Sequence, residues 1–321
     1  MCCADPLKPP RIPDIHPVLT RCHTAHFGSG PRAESKFGGN EPNFVISRHC
    51  SIQRAKSHEF PSKGDLDLTT TLIVLAHPER RSFNGDWANA TARAVETLGG
   101  SVLWSDLCAM NFNPVEAPEH YPNLTKEDRF DPLKSQEEAA KTSSLPDDVI
   151  REIEKIRKAD RVIFHFPLWW FAPPAILKGW FERVFAHGEL HSVEKRFDGG
   201  QCLGKKALFC VTTGSNAEES TFNGKEGDVE MLLWPTAYTL RYLGFTVLKP
   251  EIVHGVHGYH KGPACIDLEK RLQTVLKDQD DLIGSFDERP KVNFNNDSDF
   301  DAHGRLLPEF PSHSHFIRHF K

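Results

Sequence analysis

The sequence predicts an α/β protein built on a doubly wound, five-stranded parallel sheet with helices on both faces. Three observations carry that prediction. Five short runs rich in β-branched and apolar residues occur, the first being TTTLIVL at Thr69–Leu75; such continuous runs fit strands covered on both faces. Stretches with helical periodicity lie between them, so the strands are joined by crossovers of more than a dozen residues, the length that a parallel pair requires. Glycine and proline punctuate the boundaries, with Gly99 and Gly100 after the first helical stretch and Pro146 before the second.

The elements follow in order. After the first strand, AHPERRSFN leads into a helical pattern in which Trp87, Ala90, Thr91, Ala94, Val95 and Leu98 share one face. Ser101–Leu107 reads as the second strand. The polar, proline-broken region from Met110 to about Leu145 reads as an insertion, and Pro146 then opens the helix DDVIREIEKIRKA, whose Lys/Glu alternation marks a solvated face. Arg161–Phe166 forms the third strand, followed by PLWWFAPP and a helix over Ala175–Phe185. Lys206–Val211 forms the fourth, followed by a loop over Thr212–Gly227 and a helix over Val229–Leu243. Thr246–Val253 is the fifth strand, and Asp267–Leu276 supplies a last helix.

Composition limits what this fold can serve. Of 321 residues, 39% are hydrophobic and 26% charged, with mean hydropathy −0.46 and a net charge of −5. No run approaches the length of apolar sequence that a membrane-spanning helix needs. The acidic balance argues against a nucleic-acid partner, which would require a concentrated basic face. Eight of the 23 prolines fall within Met1–Gly64. Residues 1–67 are therefore expected to form a disordered or weakly structured extension, residues 68–310 the working domain and residues 311–321 a polar tail. Pro9, Pro10 and Pro13 would break the amphipathic helix of a mitochondrial presequence, and no apolar secretory segment opens the chain. A cytoplasmic location is the expectation. Cys2, Cys3, Cys22 and Cys50 lie in the extension and Cys108, Cys202, Cys210 and Cys265 beyond it, with no CxxC pair; they read as reduced thiols.

Ligands of open parallel sheets bind at the carboxyl ends of the strands, near the point where strand order reverses. Neither GxGxxG nor GxxxxGK[ST] is present, so three other loops become the candidates. The first, His77 to Asn84, enters a helix with Ser82 as N-cap, and the free N–H groups beyond it suit a phosphate beside His77 and the basic pair Arg80–Arg81. Its plain reading is an ordinary capped turn. The second, Pro167-Leu168-Trp169-Trp170-Phe171-Ala172-Pro173-Pro174, holds large aromatic faces between prolines, as a planar ring system such as isoalloxazine requires. Aromatics at a subunit contact are the plainer alternative. The third, Thr212-Thr213-Gly214-Ser215-Asn216, offers hydroxyls and approachable N–H groups for the polar edge of such a ring, and taken alone is a common turn composition.

One segment carries a family resemblance. FPLWWFAPPAILKGWFERVF, Phe166–Phe185, closely resembles the signature of the flavodoxin-like NAD(P)H:quinone oxidoreductases, the DT-diaphorase family. The same register matches AHPERRSFN, TTGS, GDVEMLLWP (Gly227–Pro235) and FDAHGRL (Phe300–Leu306), so the similarity runs from about Leu72 to Leu307. The resemblance implies a flavodoxin-like homodimer with a flavin across its strand ends, FAD or in some branches FMN. It implies NADH or NADPH as hydride donor and a quinone-like small molecule as two-electron acceptor, in a ping-pong cycle. Carried over residue by residue, His77, Ser82, Phe83 and Asn84 correspond to phosphate-side contacts. Pro167, Leu168, Trp169, Trp170 and Phe171 correspond to the isoalloxazine platform, and Thr212, Thr213, Gly214 and Ser215 to its polar edge. The helix Ala175–Phe185 corresponds to an element packed on the partner subunit.

Two departures accompany the resemblance. Where the family has Tyr and His in the loop after strand four, this chain has Ser220 and Glu226. A hydroxyl still donates a hydrogen bond, but a carboxylate opposes negative charge on a reduced flavin. The family's acceptor-pocket tyrosines give way to Glu189-Leu190-His191-Ser192-Val193, leaving His191 as the nearest proton donor. Ser220, Glu226 and His191 are thus the candidate catalytic residues. The departures keep two alternatives open: a dedicated reductase of a specialised-metabolite intermediate, and a flavin-binding regulatory subunit without turnover. No metal site is expected. His254, His257 and His260 sit among glycines without a carboxylate pattern, and His313, His315 and His319 lie in the polar tail.

Overall fold

A computed structural model describes residues 68–125 and 129–319. The expected extension over residues 1–67 lies outside the described residues, as do the location signals read there. The strands are β1 (Thr70–Leu75), β2 (Ser101–Asp106), β3 (Arg161–Pro167), β4 (Lys206–Thr212), β5 (Thr246–Val247) and β6 (Glu251–Val253). The helices are α1 (Phe83–Thr97), α2 (Pro132–Lys141), α3 (Asp147–Lys158), α4 (Ala175–Val184), α5 (Val229–Tyr242), α6 (Pro263–Lys277) and α7 (Gln279–Gly284).

All strand pairs are parallel, in the order β2-β1-β3-β4-β5, with β6 also on β4. This is the doubly wound flavodoxin-like order, in which the chain reverses direction between β1 and β3 and opens a crevice at their carboxyl ends. The fifth strand, expected as one piece, is interrupted. From Ala207 to Cys210 the fourth strand advances three residues while its partner advances four, from Val247 to Glu251. The extra residue is a bulge. Leu248 N–H still donates to Ala207 O at 2.8 Å, but Lys249 N–H turns away to Pro290 O at 2.8 Å, and Pro250 has no N–H to give.

Each face of the sheet is buried. On one, Phe164, Phe166 and Phe209 pack with Ile153 of α3, Trp180 of α4 and Leu240 of α5. On the other, Ile163, Leu208 and Cys210 pack with Trp87 and Val95 of α1 and Ile283 of α7. The alternation of β3 side chains between the two clusters is the period of a strand covered on both sides. One charge is taken into the first core. Glu152 is wholly buried and accepts from Ser105 Oγ (2.5 Å), Trp180 Nε1 (3.0 Å) and Lys155 Nζ (2.6 Å), which satisfies the carboxylate that burial would otherwise penalise.

Two helices escaped the sequence pattern. Within the expected insertion, α2 is opened by Pro132 at its first turn, with the Asp131 carboxylate accepting from Lys134 N–H at 3.3 Å. It buries only Gln136 and Ala139, too little to leave an apolar stripe. The last expected helix extends to Pro263–Lys277 and is followed by the short α7. The segment expected as a polar tail places Phe316 against Trp234 of α5, with ring centroids 4.8 Å apart. No helix among the described residues is long and apolar enough to cross a membrane.

Candidate functional site

The three loops meet at the carboxyl ends of β1, β3 and β4, on either side of the switch point. In the first, His77 Nδ1 lies 3.0 Å from both the N–H and the carbonyl oxygen of Glu79, which anchors the ring to its own turn, and burial holds its pKa below the ordinary histidine value. Ser82 caps α1 by accepting from Gly85 N–H at 3.3 Å. The loop lies so close over this turn that a Cβ on Gly85 would stand 2.1 Å from Arg80 O, which only glycine permits. By helix geometry the N–H groups of Phe83 and Asn84 have no intrahelical partner. The Phe83 ring turns inward onto Trp87, 5.5 Å away, so what this residue offers outward is its backbone. The basic pair differs from expectation: Arg80 Nε binds Asp106 Oδ2 at 2.9 Å and Arg81 forks onto Glu79 at 2.9 and 3.0 Å. Both charges are thus matched within the chain, and the Arg81 guanidinium pulls the Glu79 carboxyl down to about 2.

The second loop is a two-residue hairpin. Trp169 and Ala172 exchange both backbone hydrogen bonds, at 3.0 and 3.1 Å, and between them Trp170 and Phe171 take φ of 51° and 62°. Left-handed values at both central positions define a type I′ turn, normally the province of Asn and Gly. Two bulky aromatics there cost strain of order 1–3 kcal/mol each, a cost that proteins concentrate at functional sites. The side chains divide. Trp169 tilts onto His77 at 5.8 Å, linking the first two loops. Trp170 is 93% exposed and Phe171 52%, so both rings face outward from the edge of the sheet. Pro167 is buried as the last residue of β3, and Leu168 N–H pairs with Thr212 O at 2.8 Å, locking the second loop to the third.

In the third loop Thr212 and Thr213 are buried, Gly214 is exposed and Ser215 half-buried. Thr212 Oγ1 donates to Asn84 Oδ1 at 3.0 Å. Ser215 and Ser220 share a hydroxyl contact of 2.7 Å, which turns the buried Ser220 inward. Glu226 is half-buried, and its N–H closes the loop onto Glu219 O at 3.0 Å. The sequence reading weighed His254 only as a metal ligand and did not place it at this site, where its Nδ1 lies 3.0 Å from Thr213 Oγ1. The available signal was positional: His254 is the first residue after β6, hence on this same edge.

The model of the flavodoxin-like fold family matches residues 69–276, a span that includes all three loops. Rat NAD(P)H dehydrogenase [quinone] 1 is 39% identical over 213 residues, covering 64% of this chain and 77% of its own length. Human ribosyldihydronicotinamide dehydrogenase [quinone] is 43% identical over 214 residues, covering 65% and 92%. A solved structure from Klebsiella pneumoniae, assigned as a quinone reductase, superposes with a TM-score of 0.65 at 29% identity, covering 75% of this chain and 95% of that one. The chain belongs to the flavodoxin-like NAD(P)H dehydrogenase (quinone) family.

Membership makes the chain an oxidoreductase. The chain does not bring His191 to the crevice. The ring lies 5.1 Å from His187 and 5.4 Å from Tyr242 at the end of α5, while neighbouring Glu189 binds Arg157 at the end of α3. Those helix ends precede β3 and β5, so His191 sits at the amino ends of the strands, across the sheet from the three loops. Spacing within one sequence segment gave no warning of this, because α4 carries the chain back along the sheet. The four described cysteines are free thiols. Among the described residues no group of three or more His, Cys, Asp or Glu is arranged to hold a metal ion.

Proposed function

We propose that the protein is a flavin-dependent NAD(P)H oxidoreductase that reduces a quinone or related conjugated acceptor by two-electron transfer in a ping-pong cycle. The observation that carries this reading is the polar and aromatic complement of the strand-end crevice. Asn84 is 3% exposed, yet its Nδ2 has no partner. An unsatisfied buried donor at a helix N-terminus fits an anionic group such as a flavin phosphate. Ser82 and the N–H groups of Phe83 and Asn84 would complete that end. The strained Trp170–Phe171 turn fits the ring system, and Thr212, Thr213, Gly214 and Ser215 its polar edge. Bound there, a flavin supplies hydride chemistry that no side chain can.

The chain's own residues position and insulate. Pro167 and the paired prolines after Ala172 fix the aromatic turn, and Trp169 covers His77. Ser220 stiffens the third loop through Ser215. Thr213 Oγ1 is held by His254 and by Ser215 O, so its orientation at the edge is set before any ligand arrives. Glu226 places a carboxylate where the resemblance gives other members a histidine. That favours a second reading, a dedicated reductase of a specialised-metabolite intermediate, over a general quinone reductase. FAD, a homodimer and a cytoplasmic location belong to the first reading, with FMN as the alternative cofactor.

Release and chromatography of the bound cofactor, followed by assays with NADH, NADPH and dihydronicotinamide riboside, tests the proposal. A yellow protein that oxidises one of these donors with menadione is expected. A colourless chain that takes up neither FAD nor FMN rejects it.

A further inference from the structure

The carboxy-terminal segment builds a cavity that the crevice does not use. At Phe300 and Leu306 the chain bridges back on itself, with Asp301 N–H donating to Arg305 O (2.9 Å) and Gly304, at φ 73°, making the turn. A second turn is organised by Ser314, whose Oγ accepts from the N–H groups of Phe316 and Ile317 at 3.1 and 3.2 Å. Phe316 then stacks on Trp234, which stacks on Tyr238 at 4.4 Å. Between these turns and α5 lies a solvent-open groove of about 560 Å³, whose sides include Tyr238, Phe300 and the exposed Arg305, Phe316, Arg318 and His319. That volume suits a small organic ligand.

Its chemistry is one-sided. Three aromatic rings line it beside two guanidiniums, and among the described residues no carboxylate does. Neither Arg305 nor Arg318 enters an ion pair among the described residues. Asp301, the nearest carboxylate on the hairpin, spends its Oδ1 on the N–H groups of His303 and Arg305, both at 2.8 Å. His319 Nε2 faces Phe310 O at 2.8 Å, so this nitrogen carries the proton and the ring is fixed. Guanidiniums recognise phosphate and carboxylate through paired N–H groups, and aromatic walls take a flat ring.

We propose that this cavity binds a planar aryl anion, a single aromatic ring bearing a phosphate or carboxylate, independently of the strand-end crevice. Its residues lie outside the three loops, so occupancy there does not require the flavin reading to hold. The test is calorimetric titration of the full-length protein, as purified, with phenyl phosphate, benzoate, phenol and inorganic phosphate. Phenyl phosphate is expected to bind, benzoate less tightly, and phenol and inorganic phosphate at least about tenfold more weakly, because each keeps one half of the recognition. Arg305→Gln and Arg318→Gln should each weaken phenyl phosphate by about tenfold, the loss of one charge-assisted contact, with cofactor absorbance and melting midpoint unchanged. Absent heat at millimolar phenyl phosphate, equal affinity in the double variant, or inorganic phosphate binding as tightly as phenyl phosphate overturns the proposal. A colourless protein that still binds phenyl phosphate would reject the flavin reading alone.

Discussion

Thr212 Oγ1 donates to Asn84 Oδ1 at 3.0 Å, joining the tip of β4 to the first turn of α1 across 128 positions of sequence. Both residues are buried. The bond fixes the amide so that Nδ2 remains the free donor at the helix mouth. Thr212→Val keeps the shape and removes the donor, leaving Asn84 Oδ1 without its partner. The expected cost is about 1–3 kcal/mol, read as a lower denaturant midpoint, together with faster loss of flavin on dialysis. A variant of normal stability and normal cofactor retention would show that this bond does not orient the site.

The Trp170–Phe171 turn makes an opposite pair of demands on stability and function. Asn and Gly adopt its left-handed conformations with little strain. Trp170→Asn with Phe171→Gly should therefore raise the unfolding free energy, by roughly 1–3 kcal/mol if strain dominates, while flavin retention falls sharply. Chemical denaturation and cofactor absorbance read the two effects separately. Unchanged retention would remove both rings from the platform.

How much of this was legible beforehand follows from range in sequence. The strands, α1, α3, α4 and α5 were readable because their burial is periodic, and the three loops because each directly follows an apolar strand. The bulge between Val247 and Glu251 depends on Pro290, forty positions after Pro250, and no local pattern announces it. Asp106 as the partner of Arg80, and His254 as the partner of Thr213, are likewise products of strand adjacency. His191 shows the reverse: it stood near site-like residues in sequence, and the direction of α4 carried it to the far end of the sheet.

Glu226 gives the third loop, which follows β4 on the crevice edge, a negative charge. Glu226→Gln should raise kcat/KM for a sulfonated naphthoquinone roughly threefold to tenfold, the range for one unit charge acting over several ångströms at a protein surface. Menadione, which is uncharged, should change far less. The ratio between the two substrates at low and high salt is the measurement, since screening should shrink the difference. An equal change for both acceptors would place Glu226 outside substrate discrimination.

His165 sets an acid limit on the fold. It lies at the centre of β3, wholly buried, with neither ring nitrogen partnered and the Trp87 ring edge-on at 5.4 Å. Burial alone pushes its pKa down to about 3 from the ordinary 6.5, because an imidazolium there would be desolvated without a counter-charge. Between those values the unfolded chain binds a proton that the folded chain refuses, so stability rises with pH across this window and is lost as pH falls from about 6.5 towards 3. Full effect corresponds to one proton, about 1.4 kcal/mol per pH unit. His165→Gln retains a polar side chain but cannot titrate. Urea unfolding at pH 7, 6, 5 and 4.5 should give the variant a shallower loss of stability than wild type, with the gap widening towards acid. Parallel curves would remove His165 from the acid sensitivity of the fold, since the carboxylates held down by Arg81, Arg183 and Lys206 lose their stabilisation only below this range.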